Sequence, residues 1–396
     1  MTLGLASFSA MSFGSFAGLG PDASFAFLGA SQLAALVAGV AGLASALAHF
    51  VAESRGSSGK VASWLSFAAL GTFLAGLTAS LIGVGFRWIE VNHWPVQSMF
   101  EALTMTAAAL YVSFGVLYLA LGMYRSKGTV RGLSDLFLAL VMFGEYALLL
   151  YTQGQEKGPR SLPPALQSYW MAPHVSALLL SYVTLSIAYL ACIIYFTLKL
   201  VRQFSGAASS AKPMSKSAML GFLGFVFLPP FAQIVNIAVF LPVAGLGLLL
   251  ARNRKLDALD SWIDGFDQFS FRIFAIGFPF LTAGLMMGGF WAQEAWALYW
   301  GWDSKETSAL ISWLIYVVYV HLRFVAGWRG ERSLWVILGG AISILFTFQL
   351  FGYLPASQDS LHRYTDGTSR EGMELSAPSQ SSSGAGATPV AAGDGK

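Results

Sequence analysis

Residues 174–200 read HVSALLLSYVTLSIAYLACIIYFTLKL, and their one charged side chain, Lys199, stands next to the end. A transmembrane helix needs about 20 mostly apolar residues, since each adds about 1.5 Å and the hydrocarbon core is about 30 Å thick. Outward from this stretch, seven more runs meet that measure: 27–51, 62–86, 99–123, 132–152, 272–292, 307–327 and 334–353. Trp88, Tyr124, Trp170 and Trp328 fall near run ends, where aromatic side chains suit the membrane interface. Over the 396 residues, 56% are hydrophobic and 11% charged, and the mean hydropathy is +0.62. An ordinary soluble domain carries about 25% charge. The pattern predicts an all-α fold, a polytopic membrane helix bundle of about eight spans.

Lys and Arg orient the bundle. Fifteen of the 23 sit in loops on one side, seven on the other, and Arg272 at a helix edge. The richer side is predicted to be cytoplasmic, or stromal in a plastid, with both termini outside. These charges form short clusters between apolar runs and make no patch for nucleic acid, so no nucleic-acid partner is expected. Residues 218–251 are apolar but broken by Pro229, Pro230 and Pro242, and positive clusters near Lys216 and Lys255 flank them. Equal flanks require an even number of crossings, which predicts a re-entrant or strongly tilted hairpin. Residues 1–26 read as a lead-in, with no positive charge before Arg55 and hence no cleavable signal. Residues 27–364 read as the membrane domain. Residues 365–396, rich in Ser, Gly, Ala, Thr and Pro, read as a disordered tail. Cys192 is the only cysteine, which excludes an internal disulfide, a CxxC pair and a CxxCH haem attachment. Its expected role is that of a small buried hydrophobe. Glu101 and Glu145 fall within spans and are expected to pair with polar groups inside the bundle.

The candidate chemistry lies at 291–306, WAQEAWALYWGWDSKE, on the outer side between two spans. Trp291, Trp296, Trp300 and Trp302 fall within twelve residues, followed by Asp303, Lys305 and Glu306. An interfacial belt explains one or two tryptophans at a helix end, not four on a loop. A dense aromatic platform beside water suits a large flat apolar ligand with a polar edge, and porphyrin is one. Five histidines accompany it: His49, His93, His174, His321 and His362. His93, His174 and His362 are expected outside, near the membrane surface. His321 is expected about 21 Å into its span, within the hydrocarbon. An ionisable group there is a functional candidate by default.

The pattern WAxExWxxYWxWDxKET, with a following span that ends in His321-x-Arg323, resembles the tryptophan-rich signature of the CcsA (ResC) family of System II cytochrome c biogenesis. GFPFLTAGLMMGGFWA before it, YWMAPHVS at 169–176 and SLHRY at 360–364 resemble further family blocks in the same order. The likeness runs from about His93 to Tyr364. Ala297, Ser304 and Ser308 depart from it, where the family usually has Gly, Pro and Trp.

The resemblance implies that haem b is the transported ligand, held outside between His174 and His362 beside Trp291, Trp296, Trp300, Trp302 and Asp303. It implies a second haem within the membrane on His321, whose opposite ligand comes from a CcsB (ResB)-like membrane subunit. His93, in NHWPVQSMFEAL, lies in a partial match to a family block; a structural role near the outer site is expected, and it is kept among the candidates. His49 is expected to be structural. Apocytochrome c and a thiol-reducing thioredoxin-like protein are the other implied partners, with the iron kept reduced until attachment. The activity implied is that of a cytochrome c haem lyase subunit in a bacterial inner or thylakoid membrane, with the tryptophan segment on the periplasmic or lumenal side. A haem exporter or chaperone without ligase activity, and a transporter of another apolar ligand, stay open.

Overall fold

A computed structural model describes residues 23–158, 166–205, 213–227, 233–252 and 256–347. The regular structure among them is helical: α1 (Ala23–Arg55), α2 (Lys60–Val91), α3 (Met99–Ala120), α4 (Gly128–Thr152), α5 (Met171–Phe204), α6 (Lys216–Phe227), α7 (Gln233–Arg252), α8 (Leu256–Trp296), α9 (Ser304–Phe324) and α10 (Glu331–Leu345). Lipid offers backbone amides no hydrogen bonds, so a span must satisfy them internally, and a helix does so. Seven helices among the described residues are long and apolar enough to cross a membrane: α1 to α5, α8 and α9. The chain is a multi-pass membrane protein. The expected eighth span, 334–353, overlaps α10 as far as Leu345, and its part beyond residue 347 lies outside the described residues.

Two departures from the expected spans have physical causes. Helix α8 begins at Leu256, sixteen residues before the run at 272. Its first turns are amphipathic: Leu259, Trp262, Ile263 and Phe266 are buried while Asp264 and Gln268 are exposed. A hydropathy window averages such a face away, whereas the helical period of 3.6 keeps it on one side. Second, 218–251 forms two short helices, α6 and α7, and Pro242 lies inside the second. Both flanks of this pair return to one end of the bundle. Met214 exchanges hydrogen bonds with the side chain of Gln203, and the neighbouring Arg202 pairs with Asp260 at 2.8 Å. The two flanks therefore lie together, where the hairpin expectation has them.

Helix α5 is the hub, packed along its length on α8 and touching α3, α7 and α10. Leu185, Ala188, Ala191, Ile193, Phe196 and Leu198 are fully buried, and so is Cys192. A hydrogen bond of 3.1 Å from Thr184 to Ser113 joins α5 to α3. One span, α4, separates α3 from α5 in the chain, so α3 and α5 run parallel and start at the same end. Helices α1, α2 and α4 pack together through small residues; a Cβ on Gly42 would stand 2.9 Å from the Asp135 carbonyl oxygen.

Charges pair at the bundle ends. Lys199 meets Glu331 at 2.7 Å, Arg131 meets Asp135 at 3.1 Å, and Arg323 meets Asp267 at 2.9 Å at the end rich in Lys and Arg. At the tryptophan end, Arg87 meets Glu101 at 2.9 Å and Glu90 at 3.0 Å, which gives Glu101 its expected partner. Glu145 is different. It is fully buried in α4, and neither carboxyl oxygen has a hydrogen-bond partner among the described residues.

Candidate functional site

The site is built where α8 ends, α9 begins and α5 starts. Helix α8 stops after Trp296 because Ala297 turns left-handed at φ 59°, and Trp302 does so again at φ 56°. Glycine takes that conformation freely and other residues do not, which accounts for the family's usual glycine at position 297. Glu306 closes the loop: its carboxylate accepts from the backbone N–H of Gly301 at 2.9 Å and of Asp303 at 3.3 Å. Asp303 is thereby fixed as the N-cap of α9, and Ser304 takes the first helical position, where proline is favoured.

The four tryptophans differ. Trp291 is buried at 4% exposure, Trp296 and Trp300 are half-buried, and Trp302 is 72% exposed. Trp291 and Trp296 meet edge to face at 4.8 Å and 71°, as Trp300 and Trp302 do at 5.9 Å and 86°. From the start of α5, Trp170 packs on Phe290 at 4.8 Å, and the Ser168 hydroxyl donates to Glu294. The exposed Tyr169, Leu298 and Tyr299 extend the aromatic and apolar surface.

His174, in the first turn of α5, joins this cluster. Its ring lies 5.6 Å from that of Trp291 with planes 19° apart, and its Nδ1 donates to the Gly284 carbonyl oxygen at 2.8 Å. Gly284 and Gly288 were not singled out by sequence. Their glycine-x-x-x-glycine spacing is the signal that could have found them, since it marks close helix approach. His93 lies on the α2–α3 turn at the same end, half-buried, its Nδ1 donating to the Trp94 carbonyl oxygen at 3.0 Å. His362 lies outside the described residues, as does SLHRY, so its pairing with His174 stays an expectation.

His321 stands at the opposite end, in the last turn of α9 and exposed on the bundle surface. Arg323, two residues on, faces the other way. It is 1% exposed and grips Asp267 of α8 with two nitrogens, at 2.9 and 3.1 Å, and Ser333 of α10 at 2.9 Å. Residues two apart on a helix point about 200° apart, so His-x-Arg is an outward histidine and an inward clasp. An exposed apolar stripe, Ile311, Leu314, Val318 and Val325, runs past His321, and with the histidine counted its members are spaced three and four apart. His49 is buried among Ser66, at 3.3 Å, and Asp135, at 3.9 Å, a local polar knot.

A family profile described as Cytochrome C assembly protein matches residues 99–355, from the first turn of α3 onward. The cytochrome c biogenesis protein CcsA of Trieres chinensis is 34% identical over 264 residues, covering 65% of this chain and 73% of that protein. CcsA of a Synechocystis species is 32% identical over 281 residues, 68% of this chain and 80% of its own length. CcsA of Marchantia polymorpha is 32% identical over 251 residues, 62% and 72% respectively. With the tryptophan loop, His174 and His321 all inside the matched region, the chain belongs to the CcsA family of cytochrome c assembly proteins.

Proposed function

We propose that this chain serves cytochrome c biogenesis by holding haem b at the tryptophan end of the bundle and presenting it to apocytochrome c. The observation that carries this reading is His174: an imidazole packed on Trp291, its Nδ1 proton engaged by a carbonyl, beside an exposed aromatic surface. A neutral histidine so held offers Nε2 to iron, and ligating histidines commonly donate their other N–H in this way. His362 supplies the second axial ligand. The concentration of Lys and Arg at the other end supports a periplasmic or lumenal position for the tryptophan segment.

The chain's contribution is binding and orientation. Trp296, Trp300 and Trp302 offer aromatic surface, and Asp303 a polar rim. The cysteine thiols of an apocytochrome CxxCH motif then add across the haem vinyl groups: a carbon–sulfur bond forms and the thiol proton passes to the other vinyl carbon. A thioredoxin-like reductant keeps those thiols free, and the iron stays reduced. His321 takes up haem earlier, within the membrane, sharing the iron with a ligand from a CcsB (ResB)-like subunit. Its exposure on an apolar stripe supports a site completed by another chain.

The test is the visible spectrum and haem content of detergent-purified protein, with cytochrome maturation followed in cells. His174→Ala and His174→Gly should lose maturation, and added imidazole should restore part of it by filling the vacated position. Normal maturation by both variants without imidazole would refute the ligand assignment. Haem bound by the wild type together with a ResB-like subunit, without covalent attachment to a cytochrome, would replace the ligase reading with haem delivery alone.

A further inference from the structure

His174 sits in a socket on α8. A Cβ added at Gly288 would stand 2.6 Å from Cε1 and 2.9 Å from Nδ1 of the His174 ring. One added at Gly284 would stand 2.6 Å from a methyl of Leu178 and 3.2 Å from the Leu178 backbone nitrogen. Both contacts are closer than real Cβ atoms tolerate, so the glycines let α5 approach α8 until the imidazole edge lies against bare helix. There Nδ1 reaches the Gly284 carbonyl oxygen at 2.8 Å. A carbonyl can only accept, so Nδ1 carries a proton, and in the neutral ring the lone pair then belongs to Nε2. On its face the ring lies almost parallel to the buried Trp291, 19° between planes.

Coordination chemistry fixes what such a ring can do. A metal on Nε2 lies in the imidazole plane, along the lone pair. A porphyrin around that metal stands across the imidazole plane, and so steeply to the Trp291 ring as well. Trp291 therefore cannot lie flat on a porphyrin that His174 ligates. Rings turned away from that plane can, and Trp296 is inclined to Trp291 by 71°.

We propose that Gly284, Gly288 and Trp291 are positioning residues that set the tautomer and plane of His174, and that Trp291 serves the histidine rather than stacking on haem. The inference rests on the reading of His174 as an iron ligand. It sets Trp291 apart from the rest of the tryptophan signature as a support ring, and leaves Trp296, turned 71° from it, as a ring that faces the ligand.

The experiment uses the full-length chain purified with its ResB-like subunit, reading haem per protein and the electron paramagnetic resonance spectrum of the ferric low-spin iron. Gly288→Ala and Trp291→Leu should lower haem retention about ten- to hundred-fold, the usual cost of removing an outer-shell support, or alter the axial-ligand spectrum. Trp291→Phe keeps a flat ring beside His174 and should keep the wild-type spectrum. A purely structural role would lower protein yield and leave both haem per protein and the spectrum unchanged, which would overturn the proposal. His174→Ala separates the two levels. If it keeps the wild-type spectrum, the ligand reading itself fails. If it loses that spectrum while Gly288→Ala and Trp291→Leu both keep it at full haem content, the socket alone is refuted. Should Gly288→Ala fail to accumulate, the contrast between Trp291→Leu and Trp291→Phe decides.

Discussion

At Ala297 the long helix α8 ends in a left-handed turn, φ 59°, that a side chain enters only at a cost of about 1 kcal/mol. Ala297→Gly removes that cost, since glycine populates the region freely. The variant should gain about 1 kcal/mol of stability, read as a higher unfolding temperature of the detergent-solubilised protein with unchanged haem content. A loss of stability would mean that the alanine methyl packs usefully at the loop. Residue identity was readable here only in part. The sequence singled out His174 and the tryptophans, because rare residue types at close spacing carry information by themselves. Gly284 and Gly288 escaped, because small residues in an apolar run look like any other span. Their meaning appears only when α5 lies across them. Glu101 was expected to find a polar partner, but nothing local named Arg87, which lies on the preceding helix.

Among the elements, α9 shows how one helix serves two ends and two faces. Its first turn is capped by Asp303 and Glu306 and so fixes the tryptophan loop. Its last turn carries Arg323 inward and His321 outward. Removing one partner of a buried ion pair leaves the other charge uncompensated, typically at about 3–5 kcal/mol. Arg323→Ala should destabilise α8, α9 and α10 by that order, read by thermal unfolding in detergent. His321→Ala exposes no buried charge and should leave the unfolding temperature nearly unchanged. In complex with the ResB-like subunit, however, it should lower haem per protein, including at the outer site if transfer is sequential. Full haem occupancy and normal maturation in both His321→Ala and His321→Gln would make His321 structural and end the two-site route. The spans themselves were legible because 20 apolar residues in a row have few alternatives. The amphipathic start of α8 was not, because its buried face is diluted by Asp264 and Gln268.

Across the whole molecule, charge and packing fix the same topology by different physics. Lys and Arg concentrate on one side because translocating them is costly. At that same end the folded chain ties α5 to α10 through Lys199 and Glu331, α5 to α8 through Arg202 and Asp260, and α9 to α8 through Arg323 and Asp267. The α6–α7 pair lies in the chain between α5 and α8, which the Arg202–Asp260 tie joins. Its entry is held by Gln203 at Met214, and its exit runs into the helix that carries Asp260. An odd number of crossings between those two points would place bonded side chains on opposite faces of a membrane, about 30 Å of hydrocarbon apart. Single cysteines introduced at Ser215 and at Ser261, in a background where the buried Cys192 is replaced by Ala, should therefore react with a membrane-impermeant thiol reagent from the same side. That side should be opposite to the one from which a cysteine at Tyr299, in the tryptophan loop, is labelled. Opposite labelling of positions 215 and 261 would break the Arg202–Asp260 tie, force a full span between them, and reverse every loop from residue 256 onward, the tryptophan segment included.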